Sequence, residues 1–228
     1  MSKWIEEKRI VLEASQYLLT KGLVGGASGN VSIRLVPDNG RDLLAITPHG
    51  RYYDLLTVDD IQVIDFEVEP VEGDLAPSVE TMLHIGVYKE RKNINAVIHT
   101  HSVFASVLSV AHLEIPPILD EQVVLIGEGV KLAKYGFPGS DELVENVIAG
   151  LGERNAVLLA NHGMVGIGRT MRDALTVCEL VETMAKVYFC ARTLGGVNPL
   201  PSEAVETEKS FFNLLQRDDE VTEETEYL

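Results

Sequence analysis

The stretch Asn95-Ala96-Val97-Ile98-His99-Thr100-His101-Ser102 decides how this chain is read. Apolar, mostly β-branched residues climb into His99 and His101, and a helix-friendly run follows. In a strand, side chains alternate with a period of two, so both imidazoles share a face about 6–7 Å apart along the backbone. That is a bite suited to one metal ion, which takes neutral imidazole nitrogens at roughly 2.0–2.1 Å. Two polar residues capping a buried strand as it enters a loop would give the same pattern. A third ligand and a working acid or base are therefore needed elsewhere.

The third histidine comes from a second apolar strand. Ala156-Val157-Leu158-Leu159-Ala160 delivers Asn161-His162-Gly163 with the same local grammar. Two strands ending in histidine are what a sheet needs to aim three imidazoles at one point. Three protein ligands leave a position open, as in catalytic rather than structural sites. A carboxylate is supplied by Pro77-Ser78-Val79-Glu80, which opens a helix running to about Arg91 with Ser78 as its N-cap. Glu80, Leu83, His84 and Val87 share one helical face, so Glu80 points inward from the first turn. It can fill the open position at rest and act as a base when substrate arrives. His84 reads as a packed or surface histidine, and His112 receives no role.

Outward from these strands the chain reads as one domain, 1–228. A helix over about 3–20 ends at Gly22. The glycine-rich turn Gly25-Gly26-Ala27-Ser28-Gly29-Asn30 then leads into a strand over 31–36. Because a strand and not a helix follows, the dinucleotide fingerprint does not fit. Asp38-Asn39-Gly40 turns that strand into a second over 43–47, a hairpin that excludes an all-parallel sheet. Thr47-Pro48-His49-Gly50 is another tight turn. Strands are expected over 61–68 and around 123–126, with a loop over 71–76. Helices are expected over 103–111, from Ser140 to about Leu151, and over 171–193. Pro199 and Pro201 introduce a mobile, acidic C-terminal arm from about 199.

Composition narrows the function. A net charge of −16 opposes nucleic acid, although a loop of backbone N–H groups can still hold a small anion. No run of eighteen apolar residues exists, so no membrane span is expected. Glu6 and Glu7 stand where a secretory signal would be apolar. Cys178 and Cys190 fall on one helix about 18 Å apart, beyond disulfide reach. A reducing, cytoplasmic home is the expectation.

Five strings occur in order: Gly29-Asn30-Val31-Ser32, Ile46-Thr47-Pro48-His49-Gly50, Pro77-Ser78-Val79-Glu80, Val97-Ile98-His99-Thr100-His101-Ser102 and Asn161-His162-Gly163. Together they resemble the class II aldolase/adducin family across nearly the whole chain. The resemblance implies an α/β fold, three-layer α/β/α around a largely antiparallel central sheet, and a cyclic homotetramer with active sites between subunits. It implies Zn²⁺, or another divalent metal such as Mn, Co or Fe, on His99, His101 and His162. Glu80 would be the acid/base and a resting-state ligand. Gly29, Asn30, Gly50 and Ser78 match positions that hold the substrate phosphate, Ser28 and His49 are candidate partial replacements for hydroxyls missing from that grip, and Tyr227 is a candidate proton donor by analogy with C-terminal tyrosines of the family.

The implied activity is cleavage of a short ketose 1-phosphate, such as L-fuculose 1-phosphate, to dihydroxyacetone phosphate and an aldehyde through a metal-stabilised enediolate. Val79, His49 and Ala27 stand where hydroxyl side chains are common in the family, and Asp120-Glu121 lies near a family tyrosine. Those departures keep a decarboxylase or dehydratase acting on a related acid or sugar as an alternative. An adducin-like protein-binding module is the alternative of another class.

Overall fold

A computed structural model describes residues 3–217. The chain opens with α1 (Ile5–Thr20), followed by β1 (Asn30–Asp38), β2 (Arg41–Ile46), β3 (Gln62–Asp65) and β4 (Pro70–Glu72). Next come α2 (Thr81–Glu90), β5 (Ala96–Thr100), α3 (Val103–Val110), α4 (Asp120–Ile126) and β6 (Lys131–Ala133). The last part holds α5 (Asp141–Leu151), β7 (Ala156–Leu159), β8 (Gly163–Gly168), α6 (Met171–Thr193) and α7 (Ser202–Arg217). The strands form one eight-stranded sheet in the order β4-β3-β2-β1-β5-β8-β7-β6. Every pairing is antiparallel except β6 with β7.

Alternation along the strands builds the three layers. On one face Val31, Ile33 and Leu35 of β1, Ala96 and Ile98 of β5 and Met164 of β8 pack against Val11 and Leu18 of α1, Leu108 of α3 and Val181 of α6. On the other, Val97, Val157, Val165 and Ile167 meet Leu83 and Val87 of α2 and Val147 and Leu151 of α5. Burying each such side chain contributes roughly 1.5–3 kcal/mol.

One strand breaks this pattern. Toward α2, β1 presents Asn30, Ser32 and Arg34 rather than apolar residues. Arg34 donates to the backbone oxygens of Tyr88, Arg91 and Ile94, which holds the C-terminal end of α2 to the sheet.

Several sequence expectations are corrected. The run 123–126 is helical, not a strand. Asp120 and Glu121 occupy the first turn of α4, and Gly127 stops the helix at φ 103°. A four-residue apolar run does not distinguish the two states by periodicity. The strand expected over 61–68 is limited to Gln62–Asp65, because Asp65 Oδ1 accepts from the N–H groups of Glu67 and Glu69 and turns the chain. Part of the expected 71–76 loop is edge strand β4. The arm after 199 contains α7, whose Phe212 is buried against Gly127. Cys178 and Cys190 are both free. Among the described residues, no helix is long and apolar enough to cross a membrane.

Candidate metal centre

His99 stands on the central strand β5, directly opposite Asn30 of β1 and Val165 of β8. Its ring is fully buried and lies on the α2 side of the sheet. His101 is two residues on, where the strand gives way to α3. The N-terminus of α3 has no side-chain cap from Ser102. Glu182 of α6 replaces it, accepting from the N–H groups of Phe104 and Ala105 at 2.9 Å each. His162 comes from the tight β7–β8 connection, where Asn161 adopts φ 57° and the His162 N–H donates to the Leu159 oxygen.

The three imidazoles form a near-equilateral triangle, with ring centroids 4.7, 4.6 and 4.9 Å apart. Their ligand nitrogens lie within 4.8 Å of one another, a group that could hold a metal ion. Hydrogen bonding fixes the orientation of His99. Its Nδ1–H donates to the Met164 oxygen at 2.9 Å, which leaves a lone pair on Nε2. That lone pair faces His101 Nε2 at 2.8 Å. Burial holds His99 well below the usual histidine range, and proximity to His162 and His101 adds to the shift. His101 is lowered too, by burial first and then by His162. Neutral nitrogens converging in this way suit a cation between them.

Glu80 completes the cluster. It occupies the N-cap position of α2, one residue before the first turn, so Ser78 is not the cap; the Ser78 hydroxyl accepts instead from the Glu80 N–H. The Glu80 side chain is buried, with Oε2 3.3 Å from His99 Nε2 and Oε1 3.6 Å from His162 Nε2. Oε2 also accepts from Asn30 Nδ2 at 2.9 Å, whereas Oε1 has no hydrogen-bond partner. A buried carboxylate oxygen without a partner, beside the three-histidine cluster, fits a divalent ion on this donor set.

The other sequence-selected residues lie on loops around this centre. Gly29 has φ +79°, and a Cβ there would stand 2.6 Å from the His99 oxygen, so only glycine lets the turn approach β5 this closely. The Gly25–Asn30 turn is joined to the next loop by Tyr53 N–H donating to the Gly26 oxygen. Thr47 to Gly50 is joined to the Glu80 loop by the Ser78 N–H on the Thr47 oxygen and a Pro48–Pro77 bridge. His49 and Gly50 are exposed. The Ser28 hydroxyl is occupied by both backbone polar groups of Gly25. Tyr227 lies outside the described residues.

Sequence reasoning missed two features. His112 Nε2 bonds the Asn161 amide oxygen at 2.7 Å and braces the turn that carries His162. His84 is fully buried and bonded on both nitrogens. The alternation Asn30-Ser32-Arg34 opposite Glu80-His84-Tyr88 at helical spacing was the signal that could have found it.

Comparison with known proteins agrees with this geometry. The family described as Class II Aldolase and Adducin N-terminal domain matches residues 9–189. A 5-deoxy-D-ribulose 1-phosphate aldolase of Bacillus thuringiensis is 30% identical over 201 residues, covering 88% of this chain and 92% of the relative. An L-fuculose phosphate aldolase of Escherichia coli K12 is 33% identical over 193 residues, covering 85% of this chain and 86% of the relative. A solved L-fuculose 1-phosphate aldolase superposes with a TM-score of 0.85 at 31% identity, covering 93% of this chain and 98% of that one. The chain belongs to the class II aldolase and adducin family.

Proposed function

We propose that the protein is a zinc-dependent lyase that cleaves a short ketose 1-phosphate to dihydroxyacetone phosphate and an aldehyde. The observation that carries this reading is the convergence of His99, His101 and His162, with Glu80 3.3 Å from His99 and 3.6 Å from His162. His99, His101 and His162 would hold the ion, with Glu80 beside it at rest. An all-imidazole set makes zinc the default, although Mn, Co or Fe take the same ligands. When bound, a divalent ion supplies Lewis-acid stabilisation of the negative charge that develops on the ketose oxygens as the carbon–carbon bond breaks.

Glu80 then moves the proton at the enediolate carbon, a role worth typically 10²–10⁴ in rate. Burial keeps bulk water from competing for that proton. Gly29, Asn30, Gly50 and Ser78, with Ser28 and His49, would surround the phosphate. Asn30 spends one amide N–H on Glu80, which leaves its second for substrate. Tyr227 remains the candidate donor to the departing aldehyde.

A second reading rests on the Ser28 hydroxyl, which is tied to Gly25, and on exposed Val79, which offers no donor at all. A phosphate grip lacking these hydroxyls favours decarboxylation or dehydration of a related acid or sugar by the same enolate chemistry. A homotetramer with sites between subunits is part of the proposal. Exposed Val103, Val107 and Val110 on α3 and Phe137 beyond β6 are apolar surface of the kind that subunit contacts cover. A cytoplasmic location accords with the two free thiols.

The test is metal-replete protein assayed on phosphorylated ketoses, unphosphorylated ketoses and sugar acids. Dihydroxyacetone phosphate released only from ketose 1-phosphates supports the aldolase. Carbon dioxide from an acid overturns it in favour of the second reading.

A further inference from the structure

The wall of the centre opposite the histidines is a buried chain of polar groups running away from Glu80 between β1 and α2. Asn30 Nδ2 donates to Glu80 Oε2 at 2.9 Å, and Asn30 Oδ1 meets His84 Nε2 in a short hydrogen bond. His84 Nδ1 is 2.7 Å from Ser32 Oγ, and Ser32 Oγ is 2.8 Å from the Tyr88 hydroxyl. Ser32 and His84 are fully buried, Tyr88 has no exposed surface and Asn30 has almost none. The chain is continuous, and none of its members bonds directly to a presumed metal-ligating histidine.

Its polarity follows from donor and acceptor counting. A carboxylate only accepts, so Asn30 must turn its NH₂ toward Glu80 and its carbonyl toward His84. His84 Nε2 must then carry the hydrogen. Complete burial pushes His84 down to about 3, so the ring is neutral and has one N–H to give. Nδ1 is therefore an acceptor, filled by the Ser32 O–H. The Ser32 oxygen is in turn filled by Tyr88, whose alternative partner, the Asn95 oxygen, is farther away at 3.4 Å. Reversing the His84 tautomer would put a bare nitrogen against the Asn30 carbonyl. The amide would then flip and turn its own carbonyl against the Glu80 carboxylate, like against like.

We propose that His84 is a positioning residue: through its Nε2–H tautomer, which the Ser32 hydroxyl complements at Nδ1, it locks the Asn30 amide and so aims the Glu80 carboxylate at the histidine cluster. This rests on the reading of Glu80 as the group that moves the substrate proton. Groups that orient a catalytic ligand from behind typically change activity by about 10- to 100-fold when removed. Their loss changes substrate binding less than turnover, because among the residues set around the phosphate only Asn30 is bonded to the His84 ring.

The experiment combines nitrogen NMR of metal-free wild type and Ser32→Ala with kinetics of three further variants. In wild type, the His84 ring must show one tautomer, protonated on Nε2; protonation on Nδ1, or on both nitrogens, at neutral pH overturns the proposal. Ser32→Ala must keep that tautomer, because Glu80 still dictates it through Asn30, yet shift the Nδ1 resonance as its donor is lost; an unchanged Nδ1 signal contradicts the chain. In the metal-replete enzyme, His84→Leu is expected to lower kcat about 10- to 100-fold with a smaller rise in KM, since Asn30 also faces substrate. His84→Gln should recover much of the loss, because its amide N–H can reach Asn30 Oδ1. Full activity in His84→Leu overturns the proposal, and so does a Gln variant that folds like wild type yet performs no better than Leu. If His84→Leu does not fold, the tautomer in wild type and the Ser32→Ala spectrum decide. Glu80→Ala separates the two readings: retained activity there removes the role of Glu80 itself, whatever His84 does.

Discussion

At the scale of single residues, the centre is a problem in matching lone pairs. His99 gives its only N–H to the Met164 oxygen and presents a bare Nε2 to His101, while Glu80 Oε1 finds no donor at all. A buried carboxylate oxygen without a partner costs about 1–3 kcal/mol, and a cation held by the histidines would satisfy it. Glu80→Gln separates holding the ion from moving the proton. The amide keeps the shape but cannot accept a proton, so kcat is expected to fall by about 10²–10⁴ while elemental analysis finds the metal retained. Loss of the metal together with activity would make Glu80 primarily a ligand. His99, His101 and His162 were legible in sequence because each sits where an apolar strand ends. His84 was not, since a histidine at helical spacing among Leu83 and Val87 looks like packing. Its partners Ser32 and Asn30 lie more than fifty residues earlier and meet it only once β1 has paired and α2 has docked.

At the scale of elements, the site depends on where strands stop. β5 ends at Thr100 and α3 begins at Val103, and Glu182 of α6 fixes that junction by accepting two N–H groups at the start of α3. Glu182→Ala is expected to lower stability by about 1–2 kcal/mol, read from urea unfolding. Hydrogen exchange should quicken at Phe104 and Ala105, and exchange there no faster than in wild type would contradict the capping role. Long periodic elements such as α6, and hairpins with a marked turn such as Asp38-Asn39-Gly40, were readable because local sequence and tertiary context agree on them. The α4 segment was misread because Val123-Val124-Leu125-Ile126 suits a buried strand as well as a buried helix, and its capping acids and Gly127 tipped the outcome. β4 is an edge strand whose pairing is decided by its neighbour β3. Nothing short of the packed α4–α7 pair reveals that Phe212 is buried.

At the scale of the whole molecule, the sheet order places β1, β5 and β8 side by side. It thereby brings together segments from Asn30 to His162 at one end of the central strands. Burial in that layer lowers His84, and this has a consequence for stability. His84 is lowered to about 3, so between its unfolded value near 6.5 and that limit the unfolded chain binds a proton that the native chain excludes. Stability contributed by the neutral ring is therefore complete above about pH 6.5 and declines as pH falls, by about 1.4 kcal/mol per pH unit for such a group. Urea unfolding of metal-free protein between about pH 6 and 4 should show a steeper decline in wild type than in His84→Gln; equal slopes would contradict the assignment. The central claim, that His99, His101 and His162 converge on one divalent ion beside Glu80, is tested most directly by anomalous X-ray scattering at the zinc edge from crystals of the zinc-loaded protein. The account predicts a single strong peak enclosed by those three rings, and a peak elsewhere, or none in protein carrying stoichiometric zinc, would contradict it.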